Sequence, residues 1–172
     1  LAAYVGGENG FPVGDLRWFP DKKAQWESPV VCTPLAEVKA DANGDFVVDA
    51  KGQTVTICGV VTTPNYRPGG IQYYMQDETG GVNLFSSSIA FDFKVGDRVT
   101  ITGKVDQYNG LVEIIPQQAG DIVVNSSGAA PAALPVLKAD MNEATEGMLA
   151  QIYGYTIVDP SKWPLAGKNA TV

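Results

Sequence analysis

Two stretches of the chain share one pattern of alternating apolar and polar residues, rich in β-branched types, with a glycine at the same place. They read TVTICGVV (residues 54–61) and RVTITGKV (residues 98–105). Such alternation is typical of half-buried β-strands. A glycine inside a strand marks a bulge or a sharp bend, which a short strand needs in order to coil around a small barrel. The two stretches therefore predict strands of one small barrel.

The sequence between and after these strands predicts the rest of the barrel. A hairpin, IQYYMQD followed by VNLF, turns at ETGG (residues 78–81), where glycines permit a tight turn. A second turn at Asn109 and Gly110 leads to the strand LVEII. Strand, hairpin, crossover, strand, turn and strand is the order of the OB-fold, a five-stranded Greek-key barrel. We therefore predict an all-β OB-fold barrel over residues 51–125.

The remaining residues divide into three parts. Residues 1–50 hold many glycine, proline and aromatic residues and predict an irregular lead-in, in which Trp18 and Trp26 either pack on a core or bind a sugar. Residues 126–136 are mostly small residues and proline and predict a linker. Residues 137–172 repeat the glycine-interrupted strand and predict the start of a second OB-like unit or a strand-donating tail. The chain begins without Met, and we expect it to be a piece of a longer protein.

Several short sequence motifs in the barrel region resemble known OB-fold proteins more closely than strand order alone does. The motifs QDETGG, VGDRV and YNGLVEI resemble the OB-fold domains carried by secreted bacterial proteins, including extracellular nucleases of the YhcR type. In that family the OB domain is an accessory and a separate nuclease domain cuts the substrate. The resemblance implies a non-catalytic module. OB-folds bind single-stranded nucleic acid, oligosaccharide or protein, so the resemblance leaves the ligand open.

Charge and histidine content narrow the classes of function. The net charge of −7 disfavours nucleic acid as a partner, because proteins that bind phosphate commonly present Lys and Arg. The absence of histidine excludes imidazole acid–base catalysis, the Ser-His-Asp triad and zinc sites that use histidine. We therefore predict that the chain is not an enzyme. No apolar run is long enough to predict a membrane span.

The period-2 alternation of the hairpin divides its side chains between two faces. Tyr73, Met75, Val82 and Leu84 are the more uniformly apolar set, and we predict that they fill the barrel. The opposite set, with two flanking loops, forms the surface on which an OB-fold usually binds its ligand. Aromatic side chains there either stack on bases or are covered by residues 1–50 or by another protomer. The candidate ligand residues are Tyr66, Arg67, Tyr74, Gln76, Asn83, Phe85 and Tyr108.

Residues 41–49, DANGDFVVD, place oxygen-bearing side chains at alternate positions, which is the opening spacing of an EF-hand-like calcium loop. Phe46 stands where the loop needs glycine for a sharp turn, and Gly52 stands where the bidentate Glu belongs. Two interpretations remain: a calcium site, or a polar turn with its carboxylates in solvent. In the first interpretation calcium would be a bound cofactor, and the sequence predicts no other. The candidate ligands are Asp41, Asn43, Asp45 and Asp49.

Cys32 and Cys58 are the two cysteines of the chain, and Cys58 lies in the first barrel strand. In an oxidising compartment a disulfide between them would tie the lead-in to the barrel, whereas in the alternative both remain buried thiols. Few charges and many Thr, Gly and Asn residues are typical of extracellular proteins. We expect a secreted or cell-surface protein.

The last strand-like stretch, residues 148–158, needs a partner, because its unpaired backbone and apolar face would otherwise be left in water. We expect it to pair with the barrel or with another copy of the chain. The first functional hypothesis is therefore assembly with copies of itself or with neighbouring domains, as an array or filament. The alternative is favoured by the family resemblance and the aromatic residues. It is an accessory domain of a secreted nuclease or other hydrolase that binds single-stranded nucleic acid or another polymer. The candidate assembly residues are Leu149, Ile152, Tyr153, Tyr155 and Ile157.

Overall fold

The computed structural model describes residues 30–154 together with Lys23, Thr156 and Asp159. Trp18, Trp26, Tyr155 and Ile157 lie outside the described residues. In the part of the chain that is described, no helix is long and apolar enough to cross a membrane. The elements are α1 Leu35–Val38, β1 Thr54–Val61, β2 Ile71–Gln76, β3 Gly81–Ser86, β4 Asp97–Tyr108, β5 Leu111–Ile115, β6 Ile122–Ser127, β7 Leu134–Val136 and β8 Ala150–Ile152, with 3-10 turns at Ala119–Asp121 and Lys138–Asp140.

The first five strands close into a barrel. Their order is β1-β2-β3-β5-β4, and β4 pairs again with β1, from Thr54 opposite Lys104 to Val60 opposite Arg98. Strands β3 and β5 are parallel, and the other barrel pairs are antiparallel. This topology confirms the predicted OB-fold. Strand β6 adds a sixth strand, which runs antiparallel to the first part of β4 along the edge that does not pair with β1.

The glycines of the two repeated strands lie where a neighbouring part of the barrel leaves no room for a side chain. A Cβ on Gly59 would lie 2.6 Å from the carbonyl oxygen of Gln76. A Cβ on Gly103 would lie 2.6 Å from the Ile114 side chain. Both strands therefore need glycine for close packing as well as for bending.

The barrel core contains the side chains predicted to point inward. Tyr73, Met75, Val82 and Leu84 are all fully buried in it. Leu35 and Val38 of α1 join the same core. The turn between β2 and β3 holds α1 in place, because the Leu35 N–H donates to Asp77 Oδ2 (2.9 Å) and the Ala36 N–H donates to Thr79 Oγ1 (3.0 Å).

The last described residues form a shorter strand than the sequence predicts. Regular pairing is confined to β8, which lies parallel to β7 with Leu134 opposite Ala150. The partner of β8 is therefore a segment of the same chain rather than the barrel. Pairing of this strand with another copy of the chain stays a prediction. Leu149 precedes the short strand and Tyr153 follows it. Strand β6 continues to Ser127 and β7 begins at Leu134, so residues 128–133 connect them.

Candidate functional site

One transverse row of polar side chains crosses the outer face of the barrel. Tyr74 on β2 lies opposite Asn83 on β3, Asn83 lies opposite Glu113 on β5, and Glu113 lies opposite Asp106 on β4. Directly opposed residues share a face of the sheet, with Cβ atoms about 4.5–5.5 Å apart in antiparallel pairs. Tyr74, Asn83, Glu113 and Asp106 thus form one polar row, which includes two of the predicted ligand residues.

Asn83 is fully buried at the centre of the polar row. Its Nδ2 donates to the carbonyl oxygen of Tyr73 (3.3 Å), while its Oδ1 has no hydrogen-bond partner among the described residues. The opposite amide orientation would set Oδ1 against that carbonyl, so the hydrogen bond defines which atom is unpaired. A buried acceptor without a donor destabilises the fold by about 1–3 kcal/mol. The site therefore lacks a hydrogen-bond donor at Asn83.

Glu113 is the neighbouring buried acceptor, with 8% of its surface exposed. Burial, and then the charge of Asp106, raises the pKa of its carboxyl group. Oδ1 of Asp106 lies 3.8 Å from Nζ of Lys51, and both side chains are about half-exposed. Sequence reasoning missed Glu113. The signal was an acidic residue inside the otherwise apolar strand LVEII, where alternation places it on the outer face.

Tyr74 is half-buried, and its ring lies among the other polar groups of the site. Burial raises the pKa of its hydroxyl, followed by the charges of Glu146 and Glu113 and by Tyr66, while the polar side chain of Asn83 lowers it. The structure thus brings Tyr66, Tyr74 and Asn83 close together and adds Glu113 and Glu146 to them. The binding of a ligand by these residues stays a prediction.

Arg67 and Phe85 form the second predicted part of the face. The guanidinium carbon of Arg67 lies 5.1 Å from the centre of the Phe85 ring, within the range of a cation–π interaction. Asn65 holds the loop that carries Arg67, because its Oδ1 accepts the N–H groups of Arg67 (2.9 Å) and Gln72 (3.0 Å). The cation is therefore positioned beside the polar row by loop geometry.

Tyr108 lies at the turn between β4 and β5, where 67% of it is exposed. The side chain of Gln107 joins this turn to the lead-in, since its Nε2 donates to the carbonyl oxygens of Gly110 (2.8 Å) and Phe46 (3.1 Å). Phe46, 86% exposed, therefore lies on the segment tied to this turn. Tyr108 is one of the candidate ligand residues that the sequence pattern gave. The pattern did not indicate that Phe46 would be exposed next to the same turn.

Residues 142–149, here called the covering segment, lie over the Gln76 end of the face. The Leu149 N–H donates to Gln76 Oε1 (2.8 Å). Lys39 Nζ donates to the carbonyl oxygens of Glu143 (2.8 Å) and Glu146 (3.0 Å). Cover was expected from residues 1–50 or from another protomer. At this end the chain's own later residues provide it, with Lys39 of the lead-in holding them.

The carboxylates of the calcium-like loop bind backbone N–H groups. Asp41 accepts from Gly44 (2.8 Å) and Phe46 (2.8 Å), Asp45 accepts from Val47 (2.9 Å), and Asp49 accepts from Ala42 (3.0 Å). Asn43 Oδ1 accepts from the Asp45 N–H (2.9 Å). Within the described ranges no three His, Cys, Asp or Glu side chains are grouped to hold a metal. This geometry is that of a polar turn, and calcium binding here stays a prediction.

Cys32 and Cys58 are joined in a disulfide, with their Cα atoms 5.6 Å apart. The bond attaches the lead-in to the outer side of β1. The Thr33 N–H strengthens this attachment by donating to the carbonyl oxygen of Thr56 (2.8 Å).

The closed five-stranded topology and the polar outer face define an OB-fold domain. This domain is similar to part of Endonuclease YhcR of Bacillus subtilis (strain 168), with 32% identity over 152 residues that include 81% of this chain. The chain spans 12% of the length of that relative. No family model matches the chain.

Two solved structures are similar to parts of the chain. The OBody AM3L09 bound to hen egg-white lysozyme has a TM-score of 0.45 and 17% identity, over 59% of this chain and 100% of that one. A replication protein A heterotrimer bound to single-stranded DNA has a TM-score of 0.41 and 14% identity, over 53% of this chain and 79% of that one.

Proposed function

We propose that this chain is an accessory binding module that holds single-stranded nucleic acid on the outer face of β2, β3 and β5. The observation that carries the proposal is the juxtaposition of the polar row with Arg67 and Phe85. Flat aromatic and guanidinium groups bind successive bases by stacking, and buried polar groups beside them bind base edges. The face combines both kinds of contact.

The likeness to an endonuclease supports nucleic acid over other polymers. A nuclease whose catalytic residues lie in another domain benefits from a module that holds its substrate. The module needs no catalytic group of its own for this role. In this role the non-catalytic OB-fold holds a substrate that another domain of a larger protein cuts.

The acidic charge of the chain determines how the strand is held. Nonspecific affinity for nucleic acid comes mainly from neutralised phosphates, and a chain of net charge −7 offers few cations for this purpose. Stacking on Tyr74 and Phe85 therefore supplies most of the binding free energy. We infer modest affinity and a weak dependence on salt.

Fluorescence anisotropy with a short, dye-labelled, mixed-sequence single strand at low salt tests this function. Replacing both Tyr74 and Phe85 by Ala is expected to remove about 1–3 kcal/mol of binding free energy for each lost stacking contact. Tyr153→Ala, which removes an exposed tyrosine after β8, is the matched control and should bind as the wild type does. Wild-type protein without measurable binding would overturn the proposal.

We also infer that the protein is secreted or displayed at the cell surface. The disulfide between Cys32 and Cys58 supports this location, because such bonds persist in oxidising compartments. Assembly into arrays or filaments stays a prediction, and the pairing of β8 with β7 in the same chain gives it no support. Light scattering over a concentration series tests assembly directly.

A further inference from the structure

The unpartnered groups at the centre of the polar row are all hydrogen-bond acceptors. Asn83 Oδ1 is buried without a donor among the described residues. The adjacent Glu113 is nine-tenths buried, and no described group donates a hydrogen bond to its carboxylate, whose oxygens keep contact with solvent. A buried acceptor without a donor, as at Asn83, calls for an explanation, such as a ligand that supplies the missing donor.

We propose that Asn83 and Glu113 select a base rich in hydrogen-bond donors, guanine above the others. This inference rests on the proposed function and defines its preferred substrate. Guanine presents an N1–H and a 2-amino group side by side, which match the two oxygens of a carboxylate. The second hydrogen of the amino group remains for Asn83 Oδ1.

The other bases match the two acceptors less well. Adenine and cytosine place one amino group beside a ring nitrogen acceptor on their Watson–Crick edges. Thymine and uracil place one N–H between two carbonyl oxygens, which would face the oxygens of Glu113 and Asn83. A site built from acceptors rejects such edges because its own groups stay unpaired. The expected order is guanine first and thymine or uracil last.

Tyr74 is the group that a base must move to reach these acceptors. It is half-buried and lies directly opposite Asn83, which in turn lies opposite Glu113. A change of the Tyr74 rotamer moves its ring without any change in the sheet. The displaced ring remains beside the base and supplies a stacking surface.

The experiment compares three short, dye-labelled strands by fluorescence anisotropy. One is oligothymidylate, the second carries a single central guanine, and the third carries inosine at that position. Inosine retains the N1–H of guanine and lacks the 2-amino group. Wild-type protein should bind the guanine strand most tightly, by roughly tenfold over oligothymidylate, with the inosine strand between them. This comparison of bases requires no protein variant, so it does not depend on the folding of a mutant.

Glu113→Gln then tests the role of the carboxylate, because it replaces one acceptor by a donor at constant shape. Its guanine-to-thymine ratio should fall to about one while oligothymidylate binding is retained. Glu78→Gln, at the exposed turn between β2 and β3, makes the same change in charge and should keep the ratio. Circular dichroism and thermal unfolding establish that both variants are folded.

The outcomes separate the two proposals. Equal binding of all three strands by the wild type overturns the base selection and leaves the proposed function standing. A guanine preference that survives in Glu113→Gln overturns the role of Glu113. If no strand binds to the wild type, the proposed function fails, and the inference fails with it.

Discussion

Gly81 and Gly147 meet backbone to backbone at the start of β3. A Cβ on Gly81 would lie 2.2 Å from the carbonyl carbon of Gly147, and a Cβ on Gly147 would lie 2.7 Å from the carbonyl carbon of Gly81. Through this contact the covering segment packs directly against the barrel. It determines how much of the outer face near Gln76 is open to a ligand.

Gly147→Ala should release the covering segment, because the added methyl group has no space against Gly81. The amide of Leu149, which is bonded to Gln76, should then exchange its hydrogen faster. Gly154→Ala is the matched control, since Gly154 has nearly the same positive φ (+78° against +76°) and open space around its Cβ position. Unchanged exchange at Leu149 in Gly147→Ala would contradict the seating role of the contact.

Lys39→Met should loosen the same segment by a different route. The substitution keeps the apolar stem and removes the ammonium group that donates to the carbonyl oxygens of Glu143 and Glu146. Hydrogen bonds to charged groups contribute about 1.5–3 kcal/mol each, so local opening of residues 142–149 should become easier. Hydrogen exchange measures the opening. Lys51→Met, at a half-exposed position, should leave it unaffected.

Arg67→Met should reduce the salt dependence of strand binding. For single strands the logarithm of the affinity falls by about 0.7 for each tenfold rise in salt and each neutralised phosphate. We expect the charged edge of the Arg67 guanidinium to neutralise one phosphate while its plane stacks, so the slope should decrease in magnitude by about 0.7. Arg98→Met removes an exposed cation from β4 where it pairs with β1, and its slope should match that of the wild type.

Glu113→Gln should change how stability depends on pH. Burial and then Asp106 raise the folded-state pKa of Glu113 above its ordinary value of 4.5. The contribution of the neutral carboxyl is therefore fully present below that value and is lost as the pH rises through the folded pKa. Urea unfolding at a series of pH values should show the wild type losing stability relative to Glu113→Gln over this interval. Parallel curves would mean that Glu113 titrates alike in the folded and unfolded chains.

Phe46→Gly should stabilise the fold, because Phe46 has a φ of 66° and is largely exposed. The left-handed region is unfavourable by roughly 1–2 kcal/mol for residues with a Cβ, while glycine in place of Phe increases the entropy of the unfolded chain. A net gain of about 0.5–1 kcal/mol is expected from denaturant midpoints. Asn109→Gly, at a φ of 51°, is the comparison, and it should gain less because Asn tolerates this conformation.

Local patterns predicted the barrel because each strand carries its own signal. Alternation in residues 54–61 and 98–105, together with glycines in the turns, was enough to give the strand order and the inward set of the hairpin. The partner of the terminal strand could not be predicted in this way. The alternation there is also local, and nothing in residues 148–152 indicates that β7 is the partner.

By itself the sequence determined the OB-fold and the aromatic character of its outer face, since hydrophobic periodicity and turn residues are properties of neighbouring positions. Only the tertiary structure decided the polar row, the burial of Glu113 and the covering segment. These depend on contacts between residues far apart in the chain, such as Asn83 with Glu113 and Gly81 with Gly147. Cross-strand register and close backbone approach leave no periodic signal in the residues that make them.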